Sequence, residues 1–170
     1  MYGELHVGLS KKAEFFSRLI KDSGDRYHAS EHFENSVSLG SKVEKYLKGK
    51  ITKSLLPSLV RPLAPVLDAI KPRTANTGLV YAGIKSHSGR DKAIFENFKS
   101  SRALHIKAKR FKANDPGHFH IGAAHGARLP FGGSTATTTQ LLLKDGFKLA
   151  SVRVIVNVSG SSSTSGTTLT

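Results

Sequence analysis

Three histidines in the second half of the chain have a spacing that suggests metal chemistry. His118 and His120 are two residues apart, and His125 follows five residues later. In a strand, residues two apart lie on one face, so both imidazoles would reach a single zinc ion, with His125 or Asp115 completing the site. The pattern therefore makes His118, His120 and His125 candidate metal ligands. Chance clustering of eight histidines in a basic chain explains the same pattern, and we expect no cofactor.

The same region suggests phosphate chemistry. A histidine acting as general base beside a lysine or arginine that stabilises charge on the scissile phosphate would cleave RNA without a metal ion. His105, His118 or His120 would supply the base, and Lys107 and Lys109 would supply the charge. These side chains suit passive phosphate binding equally well.

Positive charge is concentrated in the middle of the chain. The 26 Lys and Arg residues outnumber the 12 Asp and Glu residues, and the formal net charge is +14. Residues 41–128 hold 18 of the cationic residues and only five of the acidic ones. Such charge predicts a polyanionic partner, because binding would release the counterions of that partner. The alternative is a lysine-rich face that is simply solvated. The predicted contact residues, for nucleic acid or an acidic partner, are Arg102, Lys107, Lys109, Arg110 and Lys112.

Several classes of function lack their sequence signatures. The chain has no cysteine, which excludes disulfides, thiolate metal sites and cysteine catalysis. It has neither of the glycine-rich phosphate loops of nucleotide-binding domains. No apolar run is long enough for a signal peptide or a membrane span. We therefore expect neither a membrane nor a small-molecule substrate among its partners, and a setting in the cytoplasm or in a particle assembled there.

Apolar periodicity predicts helices in the first half. Ser10 can cap a helix that ends near Gly24, and residues 31–40 suit a separate short helix. Ser41 and Glu44 form a capping-box pattern at the start of another helix. Four prolines between positions 57 and 72 predict short helical turns there.

Alternation predicts strands in the second half. Residues 79–84 form a short apolar run, and residues 103–111 alternate apolar with cationic side chains. A turn at 114–117 would pair the second segment with 118–121 in a hairpin. Residues 135–143 and 147–158 predict a further hairpin.

Together these patterns predict one α+β domain over residues 1–158. Residues 1–72 would be mostly helical, and residues 77–158 would form a mainly antiparallel sheet of hairpins. Residues 159–170 are almost wholly Ser, Gly and Thr, which is typical of a flexible tail.

One stretch resembles the phage tail-completion proteins, the head-tail connector or neck family. It is a basic helix with Lys48 and Lys53, an apolar segment at 55–67, and the sequence Ile-Lys-Pro-Arg-Thr-Ala-Asn-Thr-Gly-Leu at 70–79. Residues 125–132, His-Gly-Ala-Arg-Leu-Pro-Phe-Gly, are similar to a segment of that family around its Pro-Phe. The resemblance covers about a third of the chain. It implies a small α+β subunit of a ring between capsid portal and tail.

These observations favour a structural protein that is not an enzyme. We expect a subunit of a virion, a phage neck or tail-completion component, that contacts copies of itself and other structural proteins. Its basic face would meet DNA, RNA or an acidic neighbour. The alternatives are a ribosome-associated RNA-binding protein and the metal-independent ribonuclease described above.

Overall fold

The computed structural model describes residues 2–4, 9–34, 37–58, 60–71, 78–83, 89–127, 136–150 and 152–154. Residues 128–135 and the Ser-, Gly- and Thr-rich residues 159–170 lie outside these ranges. Within them, no helix combines the length and the apolar composition that crossing a bilayer requires.

Strands and helices alternate along the described chain, an order typical of folds with parallel sheets. The strands are β1 (Tyr2–Glu4), β2 (Tyr27–Glu34), β3 (Gly78–Gly83), β4 (Gly117–Gly122) and β5 (Val152–Val154). The helices are α1 (Leu9–Asp22), α2 (Val37–Leu47), α3 (Ala64–Ile70), α4 (Arg90–Lys107), α5 (Ala123–Gly126) and α6 (Thr138–Lys144). Short 3-10 turns cover Lys53–Leu55 and Arg61–Leu63.

The five strands form one sheet in the order β3-β2-β4-β1-β5, and each neighbouring pair is parallel. The predicted antiparallel sheet of hairpins is therefore wrong. The turn at 114–117 does not join two strands, because β4 returns from helix α4 and pairs with β2 and β1 instead. In that register His28 lies opposite His118, and Ser30 lies opposite His120.

Two segments predicted as strands are helical. Residues 103–107 belong to α4, whose buried positions are Ile94, Phe98 and Ser101. The alternation at 103–111 led to a wrong strand prediction because Ala, Leu and Lys also favour helices. The helix that begins at Arg90 continues to Lys107. Part of 135–143 is α6, which begins with a capping box between Thr137 and Gln140. Residues 155–158 of the predicted hairpin lie outside the described residues.

The first half is largely helical, as predicted, but it also contains the central strand β2. The helix expected at 31–40 is wrong, because β2 continues to Glu34 and α2 begins at Val37, ahead of the Ser41 capping pattern. The short turns between the prolines and the strand at 79–84 are confirmed. The helix near Ser10 is confirmed as well, but it begins at Leu9, so Ser10 lies inside the helix and does not cap it.

Each face of the sheet carries its own apolar cluster. On one face α1, α2 and α3 pack together with Phe33 of β2, and Phe16, Val43 and Leu67 are buried there. On the other face α4 and α6 pack on β2, β3 and β4 through Ile94, Phe98, Phe119, Ile121 and Leu142. The sheet is therefore the middle layer of three.

Neighbouring strands β2 and β4 lead to helices on opposite faces. The chain leaves β2 toward α2 in the first cluster and leaves β4 toward α6 in the second. In parallel-sheet proteins, ligands often bind beyond the carboxyl ends of adjacent strands that diverge in this way. The end of β2, the end of β4 and the start of α4 meet at this edge, which we call the carboxyl edge.

Candidate functional site

The histidines proposed as metal ligands have separate neighbours. Nδ1 of His118 contacts the carboxylate of Asp25, and the His120 ring lies 4.2 Å from the ring of Phe16 on α1. His125 lies beyond the end of β4, with Nδ1 3.0 Å from Oδ1 of Asp91. The described residues contain no group of three or more His, Asp or Glu side chains placed to hold a metal ion.

The histidines of the ribonuclease alternative lie on opposite faces of the sheet. His105 is on α4, where its ring stacks on Phe111 with 5.7 Å between centroids. His118 and His120 point to the face that α1 covers, where the His118 ring stacks on that of His28. The structure therefore does not bring His105 together with the other two.

Arg102 differs from the other predicted contact residues. Its guanidinium lies 5.2 Å from the ring centroids of both Tyr27 and Phe147, and it donates a hydrogen bond to the carbonyl of Ala113. These contacts tie α4 to the segments beside it, so Arg102 has a structural role. Lys107, Lys109, Arg110 and Lys112 are all exposed.

A polar cluster at the carboxyl edge was not predicted. Its centre is Glu31, whose side chain is fully buried on β2. One carboxylate oxygen of Glu31 accepts a 2.6 Å hydrogen bond from the backbone N–H of Gly122 on β4. The other lies 3.5 Å from Nη2 of Arg90 and 3.8 Å from Nε2 of His125. A buried carboxylate needs such partners, because burying a charge without them costs several kcal/mol, ~3 or more.

Asp91 and His125 form the second half of the cluster. Nδ1 of His125 lies 3.0 Å from Oδ1 of Asp91, whereas Nε2 lies 3.8 Å from Glu31, which is beyond hydrogen-bonding distance. The side chains of Arg90, Asp91 and His125 are 22%, 27% and 17% exposed. These three side chains can therefore contact a molecule that approaches from solvent. Glu31 is buried beneath them and cannot.

Helix α6 holds the cluster in place. Oδ1 of Asp91 accepts hydrogen bonds from the backbone N–H of Thr138 at 2.6 Å and from its hydroxyl at 2.8 Å. The hydroxyls of Thr137 and Thr139 donate to the carbonyls of Ala127 and His125. The Thr-Thr-Thr run at the start of α6 thus fixes both the carboxylate and the backbone of the histidine.

The charges of the cluster shift its pKa values. The hydrogen bond to Asp91 raises the pKa of His125 above its usual value; burial opposes this, and the charge of Glu31 adds to it. Burial alone would raise the pKa of Asp91, but the hydrogen bonds from His125 and Thr138 outweigh burial and lower it. An ionised Asp91 beside a proton-carrying His125 is the stable pairing.

Sequence reasoning missed this cluster because its members are far apart in the chain. Glu31, Asp91 and His125 have no common motif, and Glu31 was assigned to a helix. One signal was present: Glu31 lies in the middle of the segment Tyr27–Glu34, between aromatic and small residues.

No protein-family model, curated protein or solved structure matches this chain.

Proposed function

We propose that the protein is a hydrolase whose His125 activates a water molecule at the carboxyl edge. The observation that carries the proposal is the contact between Nδ1 of His125 and Asp91, which leaves Nε2 as the nitrogen for proton transfer. An acidic partner at Nδ1 holds the imidazole in one tautomer and stabilises its cation, as in the triads of hydrolases. The site's place beyond the ends of β2 and β4 supports the same conclusion.

The charge balance of the cluster favours an uncharged substrate. Arg90 offsets the charge of Glu31, and Asp91 adds a second negative charge, so the four described side chains carry no net positive charge even when His125 is protonated. A phosphate group would gain little there. An uncharged carboxylic ester needs only a donor for its carbonyl oxygen, and the partly exposed guanidinium of Arg90 suits that role.

The proposed step conserves every atom and proton. When His125 is neutral, its unprotonated Nε2 accepts a proton from water as the water oxygen forms a bond to the ester carbonyl carbon. The carbonyl oxygen becomes negatively charged and accepts hydrogen bonds from Arg90. When the bond from carbon to the alcohol oxygen breaks, protonated His125 returns the proton to the leaving alcohol, and a carboxylic acid is released. Thr138 takes no part as a nucleophile, since its hydroxyl donates to Asp91.

Hydrolysis of p-nitrophenyl acetate by the full chain tests this proposal. We expect His125→Gln to reduce kcat/KM about 100-fold or more, the usual loss when a general base is removed. His105→Gln is the matched control, because it removes a partly exposed histidine far from the carboxyl edge. Equal rates for both variants and the unaltered protein would contradict the proposal.

A structural subunit of a virion or phage neck is the second candidate function. The exposed cations Lys107, Lys109, Arg110 and Lys112 favour it, because a subunit of an assembly meets its neighbours or nucleic acid through such a face. Measuring the mass of the native protein tests it. A ring or larger assembly is the expected result, and a stable monomer would contradict it.

A further inference from the structure

The end of helix α4 gathers four cations that the proposed hydrolase site does not use. The backbone N–H of Ala108 donates a hydrogen bond to the carbonyl of Leu104, and the backbone N–H of Lys109 donates one to the carbonyl of Ile106. Lys109 then adopts a left-handed conformation with φ of 56°. This geometry ends the helix and reverses the chain, so that residues on both sides of Lys109 lie close together. We call Lys107, Lys109, Arg110 and Lys112 the cationic turn.

The positive charge of the cationic turn is not offset by the described residues. All four members are exposed, and none forms an ion pair with a carboxylate in the described part of the chain. Asp115 is close in sequence, and its carboxylate accepts a 2.7 Å hydrogen bond from the backbone N–H of Lys112. The partial negative charge at the carboxyl end of a helix favours cations there, but it is only about half a unit charge and does not balance four cations.

The composition of the cationic turn indicates which polyanion it fits. Lysine is depleted in the cores of protein interfaces, yet three of the four members are lysines. Proteins that bind single strands stack bases on aromatic side chains, but Phe111, the aromatic residue in this stretch, is only 4% exposed. Exposed lysine and arginine side chains without an exposed aromatic residue among them match the phosphates of a duplex.

We propose that the cationic turn binds the phosphate backbone of double-stranded nucleic acid without reading its sequence. Helix α4 has 18 residues, so its two ends are about 27 Å apart. Arg90 and Asp91 lie at the first end, at the carboxyl edge, and the cationic turn lies at the other. A duplex bound there leaves His125 open, so this inference is independent of the proposed hydrolase activity.

The salt dependence of binding to a duplex DNA of arbitrary sequence tests the proposal. Four phosphate contacts predict a slope of log K against log salt of about −3.6, a loss of roughly 150-fold between about 50 and 200 mM salt. The double variant Lys107→Gln with Lys112→Gln should bind more weakly, with a slope of about −1.8. Circular dichroism checks that the variant is folded.

A second double variant separates a local site from the net charge. Lys42→Gln with Lys45→Gln removes two exposed lysines from α2, which packs on the opposite face of the sheet. We expect this variant to keep the full slope. Equal losses in both double variants would overturn the proposal, as would an unchanged slope in the first. Tighter binding to polyglutamate than to the duplex at the same salt would also overturn it, since an acidic protein would then be the partner.

Discussion

Asp91 has hydrogen-bond partners in two different elements. Its Oδ1 faces Nδ1 of His125 in α5 and accepts from the backbone and the hydroxyl of Thr138 in α6. Because all these contacts meet at one oxygen, the carboxylate has a single orientation. The imidazole of His125 therefore has a single orientation as well, which is what proton transfer requires.

Replacing Asp91 by Asn tests this electrostatic role. The hydrogen bond to Asp91 is the largest cause of the raised pKa of His125, so Asp91→Asn should lower that pKa toward the ordinary histidine value. NMR titration of the His125 ring protons measures the shift. Asp145→Asn, which removes the carboxylate paired with Lys99, is the control and should leave His125 unchanged.

The contact between His125 and Asp91 also predicts how the free energy of unfolding depends on pH. Because the pKa of His125 is raised in the folded state, its contribution is fully present below the ordinary histidine value. That contribution is lost as the pH rises through the raised pKa. Urea unfolding across this window should show a fall in the free energy of unfolding that Asp91→Asn reduces. An equal fall in both proteins would contradict the assignment.

At the scale of the elements, α6 is short but anchored at its start. The Thr137 hydroxyl accepts from the N–H of Gln140, and the Gln140 side chain accepts from the N–H of Thr137. The same hydroxyl donates to the carbonyl of Ala127, in the segment that carries His125. A helix of seven residues has little stability of its own, so these bonds and the burial of Leu142 hold it.

Thr137→Ala removes the cap and the link to Ala127 together. We expect a loss of about 1–2 kcal/mol in the free energy of unfolding, the range for caps of this type. Thr52→Ala is the control, because Thr52 precedes a 3-10 turn without a side-chain capping bond. Chemical denaturation of both variants measures the difference. Equal losses of unfolding free energy would contradict a stabilising role for the cap of α6.

At the scale of the whole molecule, a single sheet joins two apolar clusters. Tyr27 and Ala29 of β2 belong to one cluster, and Phe33 of the same strand belongs to the other. Neither cluster can lose its helices without exposing the central strand. The two layers should therefore unfold together.

Core truncation on each face tests this coupling. Leu67 and Ile94 are fully buried on opposite faces, so Leu67→Ala and Ile94→Ala should each cost about 2–5 kcal/mol. Leu104→Ala is the control: that side chain is 69% exposed, and its loss should cost less than about 0.5 kcal/mol. Each variant should melt in one transition by calorimetry. Two separate transitions would contradict a single cooperative unit.

The sequence predicted much of the fold at the level of individual elements. Local signals account for three of them: apolar periodicity for the helix near Ser10, proline ring geometry for the short turns after Pro57, and an apolar run for the strand near Leu79. The strand prediction for residues 103–111 failed because this segment fits both the alternation of a strand and the residue preferences of a helix. The contact with the sheet through Ile94 and Phe98, earlier in the same helix, decided between the two.

Composition and local pattern by themselves determined where this protein is basic, that it has no thiol chemistry and that its first half contains helices interrupted by prolines. The tertiary structure alone decided that the sheet is parallel, because strand direction depends on which distant segments pair. It also decided that Glu31, Asp91 and His125 meet at one edge. Their separations along the chain carry no information about contact, whereas a crossover that returns β4 beside β2 brings them within hydrogen-bonding and ion-pair distances.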